Sequence, residues 1–390
     1  MGVVLPEVRR PVLFHVTTVD MSLALLLLPQ LIAFREAGFE VVGVSAGGEY
    51  TQKLEQHGIR HVVLERSTRA PDIRADLATA AEFGGICRRL QPVIVHTHNP
   101  KPGVYGRIVG RVLARSMVVN TVHGLYAQRG DPLRRRTLVY SLERVAAAFS
   151  HAELVQNPED LEVLRRLRVP EHRLHLLGNG VDLSRFDPRG RGAARARIRA
   201  ELGLTDGEVV VGLVGRLVAE KGYHEVFEAA RLVSAYQPKA RFVVAGPYDP
   251  DKPDALAADD LSRAEALGVR LLGSRDDVED LYAAMDMYVL ASHREGYPRS
   301  AMEAAAMGVP VIATDIRGCR QVVDHERTGL LVPVRDPAAL AQAVSALCSD
   351  PARRSRMGSA GRAKAVREFD DRRQIDLTLA VYERLLARRR

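Results

Sequence analysis

The sequence predicts an α/β protein of two doubly wound domains, each with a parallel sheet covered by helices on both faces. Two series of short apolar segments, separated by stretches of helical periodicity, support this class because buried parallel strands are continuous apolar runs. The 390 residues exceed one ordinary core and suit two domains of about 150 to 200 residues each. The composition, 46% hydrophobic and 27% charged, is ordinary for a soluble globular protein.

The first series begins close to the start of the chain. Val12–Thr17 predicts a strand, and Ser22 suits the cap of the helix that follows it. That helix would end near Ala37, with Gly38 just past its end. Ligands are expected at the carboxyl ends of such strands. Further strands are predicted at 41–45, 62–63, 93–97, 118–122 and 154–155.

The second series follows two turns, and a domain boundary is predicted near Pro188. The domains would then span residues 1–187 and 188–371. A last helix, over about 372–390, carries Ile375, Leu379 and Tyr382 on one apolar face that must pack against another element. Strands of the second domain are predicted at 209–214, 242–245, 269–272, 287–290, 311–313 and 330–332.

Several protein classes are disfavoured by what the sequence lacks. Cys87, Cys319 and Cys348 have no C-x-x-C spacing, so neither a disulfide framework nor a zinc site is expected. Neither G-x-G-x-x-G nor G-x4-G-K-[ST] occurs, which disfavours nicotinamide-type and P-loop nucleotide binding. The stretch from Arg9 to Leu31 reads as a strand and a helix rather than a targeting signal, and no run is long enough to span a bilayer. We therefore expect a cytoplasmic protein.

Two glutamates flank a predicted helix in the second domain. Pro298 suits the first helical position and Gly308 the residue past the end, so the helix is expected over about 298–307. The free N–H groups at its start form an anion site. Glu295 precedes the helix and Glu303 lies within it, which suits a ligand with hydroxyls near its phosphates, such as a nucleotide sugar. Two surface glutamates on an exposed helix are the alternative.

Upstream, the predicted strand 209–214 ends in a glycine turn that carries Arg216 and Lys221. This turn and the Glu295/Glu303 pair, in this order, resemble the donor-binding half of the family 4 retaining glycosyltransferases. The resemblance implies the GT-B fold, two Rossmann-like domains facing each other across a cleft, with the final helix crossing back onto the first domain. It also implies that Arg216 and Lys221 hold the donor diphosphate, that Glu303 binds the ribose and that Glu295 binds the donor sugar.

The residues implied for the donor come from several loops. The turn from Gly273 to Arg275 would hold the base, and the loop from Asp315 to Cys319 would have a minor role. The resemblance implies no metal or other cofactor, because the cations and the helix start neutralise the diphosphate. The implied catalytic residues are Glu295, His123, Arg216 and Lys221. The implied donor-binding residues are Gly215, Arg216, Lys221, Ser274, Arg275, Glu295, Gly296, Tyr297, Pro298, Arg299 and Glu303.

Four residues of the first domain are implied for the acceptor side: Thr18, Asp20, His98 and His123. Asp20 is a candidate general base or a helix-capping aspartate. His123, at a strand end before a glycine, matches by position the sugar-site histidine of similar enzymes, and a capped structural histidine is the alternative. His96 and His98 alternate on one strand face, a spacing that metals can use, but no carboxylate or thiol neighbours them and cleft lining is the preferred interpretation of His98.

Positive charge is concentrated in one window of the first domain. Between Arg88 and Arg144, eleven arginines and lysines stand against Asp131 and Glu143, in a chain of net charge +8. Anionic lipid headgroups or a diphosphate-bearing acceptor suit such a window, whereas no nucleic-acid motif accompanies it. A merely solvated basic face is the alternative. We expect peripheral attachment at the inner face of the cell membrane.

These observations lead to one functional prediction with two rivals. The stretches 17–22, 49–54 and 96–101 resemble a subgroup that acts on lipid-diphosphate-linked sugars in bacterial envelope glycan assembly. The predicted reaction is therefore retaining transfer of a sugar from a nucleoside diphosphate, with UDP preferred, to a polyprenyl-diphosphate-linked glycan. A GT-B enzyme with a soluble acceptor, or a sugar-nucleotide epimerase, is the first rival. A non-catalytic nucleotide-sugar-binding partner is the second.

Overall fold

The computed structural model describes residues 10–68, 72–98, 100–127, 130–205, 207–248, 252 and 254–388. Two compact units divide the chain, one formed by residues 1–177 with 373–390 and the other by residues 178–372. Each unit has one sheet, and every pairing between neighbouring strands of these sheets is parallel. The predicted α/β class is therefore confirmed.

The first unit has a seven-stranded sheet in the order β3-β2-β1-β4-β5-β6-β7. The predicted strands are all present, and β7 is an addition that three residues were too short to indicate. Its strands are β1 Val12–Val19, β2 Glu40–Ala46, β3 Arg60–Val63, β4 Ile94–His98, β5 Met117–Val122, β6 Ala152–Val155 and β7 Leu174–Leu176. Its helices are α1 Leu28–Glu36, α2 Thr51–Gln56, α3 Ile73–Leu90, α4 Pro100–Val112, α5 Leu133–Ala147 and α6 Pro158–Arg166.

The second unit has a six-stranded sheet in the order β10-β9-β8-β11-β12-β13. Its strands are β8 Val209–Val214, β9 Ala240–Ala245, β10 Arg270–Leu271, β11 Met287–Leu290, β12 Val311–Thr314 and β13 Gly329–Val332. Its helices are α7 Gly192–Glu201, α8 Tyr223–Ser234, α9 Ala258–Ala266, α10 Val278–Ala284, α11 Arg299–Ala306, α12 Cys319–Val322, α13 Pro337–Ser349 and α14 Pro351–Glu368.

The last helix, α15, runs from Asp371 to Ala387 and packs within the first unit. Tyr382 is fully buried there among residues of α1 and β1. The predicted apolar face of this helix therefore does pack on the first domain. The predicted span to residue 390 ends outside the described residues.

Three sequence boundaries differ from the structure. Residues 178–187, which the sequence assigned to the first domain, lie with the second unit, because the Val181 N–H donates to the Phe369 carbonyl at 2.9 Å and Phe186 is buried in that unit's core. Ser22 does not cap a helix, since the chain is already helical there and residues 22–27 form a π-helical segment before α1. Pro298 is the N-cap of α11 rather than its first residue.

The strand order of both sheets reverses beside their first strands, between β1 and β4 and between β8 and β11. In open parallel sheets, ligands bind outside the carboxyl ends of strands at such a reversal. In the second unit this point brings together the loop after β8 and the loop after β11. These loops carry the two motifs that the sequence singled out.

Candidate active site

The turn after β8 lies directly against the end of β11. Gly222 has φ +74°, and a Cβ there would stand 2.1 Å from the Ala291 carbonyl oxygen, so only glycine fits. Gly246, after β9, is equally close to its neighbour, since a Cβ there would stand 1.9 Å from the Gly215 carbonyl oxygen. These glycines allow the loops at the strand ends to meet, and Lys221 of one motif thereby reaches Glu295 of the other.

Lys221 and Glu295 form the central contact of this site. Lys221 Nζ lies 2.6 Å from Glu295 Oε1, and the Ser292 hydroxyl donates to the same oxygen at 2.7 Å. The Thr314 hydroxyl in turn donates to the Ser292 carbonyl at 2.6 Å, which ties β12 to this loop. The Arg216 guanidinium, half-buried at the same turn, makes no hydrogen bond or ion pair with any described residue. One cation is therefore paired and a second is available to a ligand.

Glu303 lies on α11 with its carboxylate held from two sides. Arg299 Nε donates to Oε1 at 3.1 Å, and the Tyr282 hydroxyl donates to Oε2 at 3.1 Å. Burial raises the pKa of Glu303, and the charge of Arg299 opposes that rise. Sequence reasoning missed Tyr282, because a buried tyrosine on α10 has no local signal of its role.

The first turn of α11 is fixed to the end of β8 by another buried tyrosine. The Tyr288 hydroxyl contacts both the Ser300 hydroxyl, at 2.7 Å, and the Val214 carbonyl, at 3.1 Å. Gly318 presses against the loop that precedes the helix, since a Cβ there would stand 2.7 Å from the Glu295 carbonyl. Gly296 and Pro298 therefore lie in a loop held on two sides, with the helix start beside it.

The side chains of two other residues in the implied donor set, Arg275 and Tyr297, contact neighbouring side chains of the second unit. The Arg275 guanidinium pairs with Asp277 at 2.8 Å and with Glu201. Tyr297 packs edge-on against the Phe369 ring, with centroids 6.2 Å apart. Ser274 is exposed in the turn after β10, two strands from β8 in the sheet. Lys221, Glu295 and Glu303 are thus the better-defined centre.

In the first unit, Asp20 is buried at the end of β1. Its carboxylate accepts from the N–H groups of Met21 at 2.8 Å and Tyr50 at 2.9 Å. A Cβ on Gly48 would stand 2.6 Å from this carboxylate, so the loop after β2 is held closely around it. The neighbouring Thr18 carbonyl accepts from the Ser67 hydroxyl at 3.1 Å. Of the two interpretations of Asp20, these contacts favour the structural one.

The predicted histidines lie in one cluster with His15, in which His15, His96 and His98 are fully buried and His123 is half-buried. His15 of β1 and His96 of β4 are register partners, and His98 follows on the same face. His98 Nε2 lies 3.0 Å from His15 Nδ1, and His98 Nδ1 lies 2.9 Å from His123 Nε2. Burial lowers the pKa of His15 to about 3 and of His123 to about 4, and it lowers those of His96 and His98 well below the ordinary value. These rings are therefore neutral near neutral pH.

The chain matches two protein families, one in each half. Residues 31–185 match the family described as Glycosyltransferase Family 4, and residues 194–364 match Glycosyl transferases group 1. These matches cover the loops described above in the second unit and most of the sheet of the first.

Three relatives illustrate the similarity. The UDP-Gal:alpha-D-GlcNAc-diphosphoundecaprenol alpha-1,3-galactosyltransferase of Escherichia coli is 33% identical over 254 residues, which are 62% of this chain and 63% of the relative. The D-inositol 3-phosphate glycosyltransferase of Xylanimonas cellulosilytica is 31% identical over 310 residues, 76% of this chain and 73% of the relative. The capsular polysaccharide biosynthesis glycosyltransferase CapM of Staphylococcus aureus is 25% identical over 363 residues, 92% and 93% of the two chains.

Solved structures with the same architecture include two with low sequence identity. Sucrose-phosphate synthase from Thermosynechococcus elongatus has a TM-score of 0.81 at 23% identity and covers 97% of this chain and 100% of its own. Anabaena Alr3699/HepE, solved in complex with UDP, has a TM-score of 0.76 at 21% identity with the same coverage. At such identities the likeness shows the fold, and it confirms the two doubly wound domains.

Proposed function

The chain belongs to glycosyltransferase family 4, with the GT-B fold, and from this premise we propose that it transfers a sugar from UDP to an acceptor hydroxyl with retention of configuration. The resemblance predicted from the sequence and the glycosyltransferase activity are thereby confirmed. One observation carries the finer proposal. The Lys221–Glu295 contact and the available Arg216 meet beside the start of α11, where the sheet order reverses.

Stabilisation of the leaving group is the main catalytic effect in this proposal. Breaking the bond between the sugar and the diphosphate leaves negative charge on the phosphate oxygens, and fixed positive groups lower the barrier most when they are aimed at that charge. Arg216, Lys221 and the N–H groups at the start of α11 supply it. Glu303 binds the ribose hydroxyls and Glu295 a hydroxyl of the donor sugar.

Retention is proposed to follow from attack on the same face as departure. In this proposal Glu295 binds the donor sugar rather than acting as a nucleophile, and its Oε1 is already held by Lys221 and by Ser292. The acceptor oxygen forms its bond to the anomeric carbon as the phosphate oxygen leaves, and that phosphate oxygen takes the acceptor proton. We also propose that this needs no metal, because the two cations and the helix start neutralise the diphosphate. Rates unchanged by EDTA would support that point.

The acceptor is proposed to be a polyprenyl-diphosphate-linked glycan. The Escherichia coli relative is named for a donor of UDP-Gal and a diphosphoundecaprenol acceptor, and it is 33% identical to this chain. Thr18, Asp20 and His123, all in the first unit, form the proposed acceptor side. The predicted His98 does not line a cleft, because it is 1% exposed and both its ring nitrogens contact other histidines, so it would act by holding His123. Asp20 would act there by holding the loop after β2, since its carboxylate oxygens are engaged.

The surface of α5 supports attachment to a membrane that contains such an acceptor. Leu133 is 71% exposed, Leu138 62% and Leu142 45%, with Arg134–Arg136 beside them. An apolar strip beside arginines suits the surface of an anionic bilayer. Arg107 of the predicted basic window does not contribute, because it is buried against Glu153, and Arg129 lies outside the described residues. Within the described ranges, no helix is long and apolar enough to cross a membrane.

The test is release of UDP that depends on the acceptor. Purified protein is mixed with individual UDP-sugars and with polyprenyl-diphosphate-linked saccharides, and UDP and the extended lipid are both measured. We expect the parent to form UDP and extended lipid in equal amounts. Lys221→Ala should form both products much more slowly. UDP released without extended lipid, with or without an acceptor, would contradict the proposal.

A soluble phosphorylated acceptor is the second candidate function. The Xylanimonas cellulosilytica relative, 31% identical, is named for D-inositol 3-phosphate. The same assay separates the two candidates when the lipid is replaced by a water-soluble sugar or inositol phosphate. Turnover with the soluble acceptor alone would favour the second candidate.

A further inference from the structure

The buried histidines of the first unit belong to one hydrogen-bonded series that also includes Tyr382 of α15. The Tyr382 hydroxyl contacts His96 Nδ1 and lies 3.4 Å from His15 Nε2. His15 continues through His98 to His123, as described above. We call the series His96, Tyr382, His15, His98 and His123 the histidine chain. Beyond its first end, His96 Nε2 lies 2.7 Å from the Thr121 hydroxyl.

Hydrogen bonds along the histidine chain are all donated in the same direction. A neutral imidazole donates from one ring nitrogen and accepts at the other, and a hydroxyl has one proton to donate. A choice of donor at any link therefore decides the donor at the next one. Burial keeps these histidines neutral, and none of their printed ring contacts among the described residues is with a carboxylate. The histidine chain therefore has two directions, provided that the Tyr382 hydroxyl donates to one of its two histidine neighbours.

Tyr382 decides between these directions. Its shortest contact is with His96. A phenol is a stronger proton donor than a neutral imidazole, so the shortest link is an O–H donating to His96 Nδ1. The Tyr382 oxygen is then left to accept from His15 Nε2. It follows that His98 Nε2 donates to His15, and that His123 Nε2 donates to His98.

We propose that Tyr382 is a positioning residue that fixes His123 in the tautomer protonated at Nε2. The ring is then held at Nε2 by its hydrogen bond to His98, and Nδ1 carries the lone pair. The backbone beside it turns into Gly124, whose φ is +139°. The catalytic consequence rests on the proposed function, in which His123 lies on the acceptor side. The tautomer itself does not.

A metal ion is the competing use of this cluster. Ligand nitrogens of His15, His96 and His98 lie within 4.8 Å of one another. A metal needs the lone pairs of its ligands to converge on one point. Here both ring nitrogens of each histidine are instead paired with another ring or with a hydroxyl at hydrogen-bond distance. The arrangement therefore favours the hydrogen-bonded chain.

The test uses NMR of the full chain labelled with nitrogen-15 in histidine, because the ring nitrogen shifts report the tautomer. Signals are assigned with single His→Gln variants. We expect His123, His98 and His15 of the parent to be protonated at Nε2. A His123 protonated at Nδ1, or present as a mixture of tautomers, would overturn the proposal without need of any Tyr382 variant. Displacement of the signals of His15, His96 and His98 by added Zn²⁺ would overturn it in favour of a metal site.

Tyr382→Phe removes the hydroxyl donor that gives the histidine chain its direction. We expect the His123 signals to move towards the average of the two tautomers, whereas an unchanged His123 would overturn the proposal. Tyr105→Phe is the matched control, since the buried Tyr105 hydroxyl has no hydrogen-bond partner among the described residues. It should leave the signals unchanged.

Kinetics then separate this inference from the proposed function. Tyr382→Phe should lower kcat about tenfold and leave KM for the UDP-sugar unchanged, because the proposed donor contacts all belong to the second unit. An equal effect of Tyr105→Phe would assign the loss to packing and contradict the positioning role. A parent that shows the expected tautomer but transfers no sugar would count against the proposed function alone.

Discussion

Acidification should destabilise the first unit specifically, because it contains three fully buried histidines. His15, His96 and His98 are at most 1% exposed, and burial holds the folded-state pKa of each far below the ordinary value of 6.5. Below that value the unfolded chain binds protons that the folded chain does not. The contribution of these histidines to the free energy of unfolding is therefore fully present above about pH 7. It is lost as the pH decreases from 6.5 towards the folded-state pKa, which is about 3 for His15.

The magnitude follows from linkage. Between pH 7.5 and 5.5, a histidine with an unfolded pKa near 6.5 that stays neutral when folded loses about 1.4 kcal/mol of stability. The three fully buried rings together lose about 4 kcal/mol, and half-buried His123, whose folded-state pKa is lowered to about 4, adds about 1 kcal/mol, against a total of about 5 to 15 kcal/mol for a typical domain. The charges that act on His96 and His98 are those of other histidines, so no described carboxylate offsets the loss.

Native-state hydrogen exchange read by mass spectrometry would measure this loss separately in each unit. After correction for the intrinsic exchange rate, segments of β4 and β5 should lose about 5 kcal/mol of protection between pH 7.5 and 5.5. Segments of β8 and β11 are the internal control, because the histidines of the second unit, His224, His293 and His325, are exposed or half-buried. His96→Gln should remove about one quarter of the pH dependence that this cluster gives the first unit.

Two outcomes would refute this reasoning. Equal losses of protection in the two units would mean that the histidines are not responsible. Protection of β4 and β5 that rises on acidification would mean that the buried rings are charged in the folded protein, contrary to their burial.

The remaining predictions concern the second unit and the proposed membrane surface. Lys221→Ala should remove a charge-assisted contact of about 1.5 to 3 kcal/mol and lower turnover about ten- to hundredfold, and normal turnover would refute its role. By calorimetry, Glu303→Gln should weaken UDP binding, whereas Glu295→Gln should preserve or strengthen it, because Lys221 loses a competing carboxylate 2.6 Å away; the reverse order would exchange their roles. Gly222→Ala should reduce the melting temperature and UDP affinity together, since its Cβ would stand 2.1 Å from a carbonyl oxygen; unchanged values would show that the turn relaxes. Changing residues 134–136 from Arg to Ser should reduce sedimentation with anionic liposomes at low salt and leave UDP binding unchanged, and a parent that ignores such liposomes would exclude the membrane surface.

Local signals in the sequence were sufficient for the fold class, and they singled out two motifs whose loops the structure brings together. Short apolar runs alternating with helical periodicity predicted two parallel sheets, and both are present. The resemblance implies that Lys221 binds the diphosphate and Glu295 the sugar of one donor, and the structure places these two side chains 2.6 Å apart. These successes have a common physical reason. Turn chemistry, helix ends and strand burial depend on neighbours within a few residues, and the strand order of a doubly wound sheet then brings the loops together.

The residues that support the site were decided by the tertiary structure. Tyr282 holds Glu303 and Ser292 holds Glu295, but neither side chain stands out in its own segment. Arg275 was implied for the donor from its turn, whereas contacts with Glu201 and Asp277 engage its guanidinium. The contact partners come from other elements, so no local pattern could indicate them.

The sequence by itself determined that His96 and His98 share a strand face and that the last helix has an apolar stripe containing Tyr382, because both follow from the period of one element. Only the tertiary structure decided that these residues meet. His15, His123 and Tyr382 join them from β1, from the end of β5 and from α15. Their contact depends on which strands are adjacent and on the unit in which the last helix packs. The same holds for residues 178–187, whose turns were visible in the sequence but whose place in the second unit is fixed by packing of Phe186 in its core.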